Sequence, residues 1–179
     1  MILERIIILI SIVVSYFLQT SVDFFRLGEI KPDFILILTI YFALQRGSFA
    51  GLWVGFLGGL LQDINLGGIA AIQSDATSYY IGTHALPKTL IGYFVGKASR
   101  EIHRDGIIVI FFVHLVAGIL KGLVTFFEVA MFHSSVSAEA IATIVIPEAV
   151  YTAILSIFWF RILSWAIPQP ELPSGMRKL

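Results

Sequence analysis

Three ionisable side chains, His114, Lys121 and Glu128, recur every seven residues along one long apolar stretch. Seven residues is close to two helical turns, so the three share one face with a drift of about 20° per step. Adjacent members stand about 10 Å apart along the axis, too far for an ion pair within that helix. Their partners must come from elsewhere. Glu148, directly after Pro147, is the candidate for Lys121 or His114. Ionisable groups within a bilayer are costly, and they face protein or water. Such a set has three uses: a buried polar cluster that fixes helix rotation, a polar cavity for a small ligand or proton path, or a polar contact with a partner's helix. A shared face does not distinguish them.

Two aspartates stand at the ends of apolar runs. Asp33 follows Pro32 at the mouth of one run. A carboxylate there suits the positive end of the helix dipole. Asp63 closes another run, where the dipole disfavours it. It is therefore expected to bond to nearby backbone or to a cation. No enzyme template fits: there is no His-Glu-x-x-His, no Walker loop and no Gly-x-Ser-x-Gly elbow. The four histidines, His84, His103, His114 and His133, lack metal-ligand spacing, and there is no cysteine to act as thiolate or nucleophile. No catalytic residue, cofactor site or metal site is expected.

The elements that must position these groups follow from composition. Of 179 residues, 58% are hydrophobic and 13% charged, with mean hydropathy +0.90. About a quarter charged is ordinary for a soluble domain. Twelve basic and twelve acidic residues cancel, which argues against nucleic acid as a partner. Apolar runs of this kind in lipid are helices, because each segment must satisfy its own backbone. Six are expected: Ile2–Leu18, Pro32–Leu44, Ser48–Leu61, a weaker one near His84–Val95, Gly106–Phe132 and Ile141–Ile167. The first resembles a signal peptide, with Arg5 before its apolar run, but lacks a small-residue cleavage pattern, so it reads as a retained helix. Pro32–Leu61 as one helix would be about 45 Å long, so a hairpin turning at Gln45-Arg46-Gly47 is expected instead. Asn65–Thr83 reads as a less apolar connection. Residues 1–167 form one helical domain, and 168–179 a flexible cytoplasmic tail.

Basic residues set the orientation. Six crossings place Arg5, Arg46, Lys97, Arg100, Arg104, Arg177 and Lys178 on one side, leaving Arg26 and Lys31 opposite, with Lys88 near that edge. That asymmetry puts both termini in the cytoplasm. Trp159 and Trp165 fit an aromatic belt near the cytoplasmic boundary.

Gly47, Gly51, Gly55 and Gly59 fall at successive intervals of four on one stripe, and Gly92-x-x-x-Gly96 and Gly118-x-x-x-Gly122 are shorter versions. Glycine lets helix backbones approach closely in lipid. The stripe is either internal packing or a docking face for another membrane protein.

Several of these residues carry a family resemblance. Pro32-Asp33-Phe34-Ile35-Leu36-Ile37-Leu38, then Tyr41–Gly47, and then Gly51–Asp63 resemble the rod shape-determining MreD family, as do Gly82–Leu86 and Thr89–Tyr93, including Gly92 and Tyr93. The match covers about Pro32–Gly96, and Gly67–Ile81 is longer than that family's usual connection. The resemblance implies a bacterial inner-membrane component of the cell-elongation complex, supporting lateral peptidoglycan synthesis. Its implied partners are MreC, RodA with a class B penicillin-binding protein, MreB at the cytoplasmic face or indirectly, and membrane lipid. It also implies a six-helix bundle similar to the substrate-binding subunits of energy-coupling-factor transporters. The other function to weigh is therefore a small-molecule carrier subunit, with His114, Lys121, Glu128 and Glu148 lining a pocket beneath the Asn65–Thr83 loop.

Overall fold

The computed structural model describes residues 2–21, 23–28, 30–72, 82–99, 106–132, 139 and 141–167. Six α-helices account for most of them: α1 (Ile2–Ser21), α2 (Phe34–Arg46), α3 (Ser48–Ile72), α4 (Ala85–Ala98), α5 (Ile107–Phe132) and α6 (Ile146–Ala166). A π-helical turn, Ile141–Val145, leads into α6, and a short 3-10 turn, Asp23–Phe25, follows α1. There is no strand among the described residues. The expected tail after residue 167 lies outside them, as do residues 73–81 of the expected loop.

Among the described residues, two segments are long and apolar enough to cross a membrane: Ile107–Glu128 on α5 and Ile141–Ala166 on α6. The outer surface is apolar as well, with Phe112, Phe127, Phe158 and Trp165 exposed. A soluble monomer rarely shows contiguous apolar surface on this scale.

The axis of the fold is α2. Every residue from Phe34 to Leu44 is buried, and α2 packs against α1, α3, α4, α5 and α6. A helix that is apolar on all sides has no solvent face to present. Its start is fixed by Asp33, whose carboxylate accepts from the Leu36 N–H at 2.9 Å. Its end is fixed by Gly47, which adopts φ +87° while its N–H donates to the Ala43 carbonyl at 3.0 Å. That left-handed conformation favours glycine. It lets the chain reverse into α3 within one residue, at the Gln45-Arg46-Gly47 position the hairpin requires.

The glycine stripe joins α3 to α4. A Cβ on Gly55 would stand 2.6 Å from the Lys88 carbonyl carbon and 3.0 Å from the Thr89 nitrogen, and one on Gly51 would stand 2.6 Å from Ala43 Cβ. Gly59 faces the Ala85 backbone, Gly92 faces Gly51, and Gly96 faces Ser48. The two backbones lie too close for any larger residue. Gly51, Gly55 and Gly59 are thus occupied within the chain, whereas a Cβ on Gly47, at the turn, would meet nothing within 4 Å. Gly118 and Gly122 seat α5 on Ala149 and Val145 in the same way.

Two expectations change. Helix α3 does not stop at Gln62-Asp63 but runs to Ile72. Asp63 does not have to end the helix, because its carboxylate is taken up by a neighbouring helix. Trp159 does not join a boundary belt. Its ring is half-buried against Phe34 and Phe25, with centroids 5.1 and 6.5 Å away, whereas Trp165 is exposed.

Candidate functional site

The start of α2 is the meeting point of four helices. Asp33 is almost fully buried there, and its Oδ2 pairs with Lys88 Nζ of α4 at 2.9 Å and with Lys121 Nζ of α5 at 3.1 Å. Lys121 also pairs with Glu148 Oε1 of α6, and Lys88 donates to Gln62 Oε1 of α3. The Asp33 N–H donates to Thr152 Oγ1 of α6 at 3.1 Å, and the Ile35 N–H to Gln19 Oε1 of α1 at 3.3 Å. Two lysines are thus balanced by two carboxylates, and every one of the six helices contributes a polar atom. Buried ions are tolerable only in such mutual pairing.

The network is deep. Lys121 lies seven residues inside the Glu128 end of its apolar segment, and Glu148 seven residues inside the Ile141 end of its own, which is about 10 Å in each case. Helix α2 therefore begins level with the interior of these two apolar segments. Free amides at that depth must be satisfied by protein, and Asp33, Gln19 and the helix hydrogen bonds supply this.

A second helix start is treated in the same way. Asp63 Oδ2 accepts from the N–H groups of Gly82 at 2.9 Å and Ala85 at 3.1 Å, and its Oδ1 accepts from that of His84 at 2.9 Å. Asp63 is the cap of α4, supplied from α3. The helix dipole favours it at this amino-terminal end.

The residues singled out from the sequence divide accordingly. Lys121 and Glu148 come together. His114 does not join them: it is fully buried, its Nδ1–H donates to the Ile110 carbonyl of its own helix at 2.7 Å, and its ring abuts Phe160. Glu128 also stands apart, half-buried, with Oε2 buried and without a hydrogen-bond partner. Two helical turns separate each from Lys121, so only the central member reaches the network. Asp33 and Pro32 are buried at its centre. Arg46 lies over the Phe42 ring at 5.6 Å, and Tyr93 points outward beside Phe94. Sequence reasoning missed Lys88 and Gln62. The signal available was a lysine with no acidic neighbour, next to Pro87, inside an apolar run.

What the arrangement does chemically is to hold helices. Its charges neutralise one another across α2, α4, α5 and α6. Among the described residues, no group of three or more histidine, cysteine, aspartate or glutamate side chains is placed to hold a metal ion.

No curated relative and no solved structure matches the chain. The family model described as rod shape-determining protein MreD matches residues 1–165 of the 179. The chain therefore belongs to the MreD family and is a cell-shape-determining membrane protein.

Proposed function

We propose that this protein is a non-enzymatic assembly subunit of the bacterial elongation complex in the inner membrane. In this reading it binds MreC directly, stands beside RodA and a class B penicillin-binding protein in the wider complex, and meets MreB at the cytoplasmic face or indirectly. Its six helices cross the membrane with both termini in the cytoplasm. The observation that carries the reading is the network at Asp33. The deep charges of four helices are spent on one another, which suits a rigid scaffold presenting a fixed outer shape. The family match supports the cellular role. A carrier subunit would need Lys121 and Glu148 to face a ligand, whereas they face each other. Gly51, Gly55, Gly59 and residues Phe34–Leu44 are covered within the chain, which favours a partner surface made of other residues.

The test is co-expression with MreC, followed by capture of the tagged chain in mild detergent. The reading expects MreC to be retained. It also expects the chain to restore rod shape in cells depleted of their own family member. Loss of both results would refute it.

A further inference from the structure

Between α4 and α5 lies an apolar groove of about 580 Å³. Pro87, Ile91 and Phe94 line it on α4, and Val113, Val116 and Leu120 on α5. Along α5 it runs from Phe112 to Val124, about 18 Å. Its midpoint, residue 118, is also the middle of the apolar segment Ile107–Glu128. The groove therefore straddles the middle of the layer. A lipid chain enters from one side and ends near the midplane, about 15 Å in. A continuous helix crosses that plane.

The groove itself is lined by apolar residues alone, and polar groups follow one turn beyond its end. Glu128 follows Val124 by one turn of α5, and His84 precedes Pro87 by one turn of α4. Glu128 Oε2, Thr125 Oγ1 and His84 Nδ1 are all buried and have no hydrogen-bond partner. Buried polar atoms are nearly always paired in finished structures. A carboxylate can only accept, so the group missing at Glu128 is a donor.

We propose that this groove is the seat of a partner's transmembrane helix, whose apolar side fills the space between α4 and α5 and whose lysine or arginine, near one membrane boundary, pairs with Glu128. The proposal rests on the partner-binding reading above and assigns it a surface. Small-residue packing at Ala117 and Ala98 gives the incoming backbone close approach.

The chain has no cysteine, so single cysteines can be introduced cleanly. The full-length Val116→Cys protein is co-expressed with MreC carrying one cysteine at a time along its transmembrane helix, and oxidised in membranes. Phe158→Cys, on the exposed side of α6, is the control. Val116→Cys should form disulfides at MreC positions recurring every three or four residues, and Phe158→Cys none. Glu128→Lys should lower the yield about tenfold or more, and reversing the basic residue of the MreC helix should restore it. Size-exclusion profiles in detergent establish that each variant is folded.

If MreC is captured but cross-links through Phe158→Cys, or ignores Glu128→Lys, the groove assignment is wrong while the partner reading stands. If the unsubstituted chain captures no MreC, the partner reading itself fails. Disulfides between two copies of Val116→Cys would make a second copy the occupant. A phospholipid lost from the native mass spectrum on Val116→Trp, with MreC capture unchanged, would make it lipid. Either result overturns the proposal.

Discussion

Asp33→Asn isolates the charge at the centre of the fold. Asparagine caps helices about as well as aspartate, so the bond to the Leu36 N–H survives and only the charge is removed. Lys121 keeps Glu148 as a counter-ion, but Lys88, wholly buried, is left with the neutral Gln62. Removing one partner of a buried pair costs about 3–5 kcal/mol, because an uncompensated charge remains. That is a large share of the roughly 5–15 kcal/mol that separates folded from unfolded states. Adding Lys88→Met removes the stranded charge, and such paired replacements are often close to neutral. The double variant should therefore return to within about 1 kcal/mol of the original. Unfolding by sodium dodecyl sulfate in mixed micelles, followed by circular dichroism, gives the comparison. A single variant within about 0.5 kcal/mol of the parent, the range of an ordinary surface change, would refute the reasoning. So would a double variant no more stable than the single.

Other perturbations have equally definite outcomes. Gly55→Leu drives its side chain into the Lys88–Thr89 backbone, so α4 cannot seat on α3, and the protein should elute as aggregate in size-exclusion chromatography. Asp63→Ala strips the acceptor from three N–H groups at the start of α4 and should cost on the order of 3 kcal/mol in the same micelle titration, with Asp63→Asn losing less. Tyr41→Phe removes a bond to the Leu163 carbonyl at 3.2 Å and should cost about 1 kcal/mol without disturbing the Tyr41–Phe160 ring contact, which stands at 4.9 Å.

Much of this architecture is legible in the residue order. Apolar runs bounded by Pro32, by Gln45-Arg46-Gly47 and by Gly106 mark where helices begin and turn. The i+4 glycines mark a close helix contact, though not which helix fills it. That information belongs to the tertiary fold, because Gly51 and Gly92 are far apart in the chain and neither declares the other. The polar network is half legible. Periodicity brings Lys121 to notice and proline-flanked Glu148 supplies its partner. The same periodicity misleads at His114 and Glu128, because a seven-residue repeat gives a common face but not a common depth. Asp33 reads as a helix cap, and it is one, yet nothing local shows that the same carboxylate joins Lys88 and Lys121. Asp63 reads as a helix terminus because its charge opposes the dipole of its own helix. The conflict is resolved across space by the amides of α4, which leaves α3 free to continue.

Side-specific labelling at single cysteines tests the membrane arrangement most directly. Leu27→Cys and Glu139→Cys should react with an impermeant maleimide added outside intact spheroplasts, and Arg46→Cys and Gly106→Cys only after the membrane is opened. Labelling of Arg46→Cys from outside, or of all four sites from one side, would contradict six crossings with a deep network at Asp33.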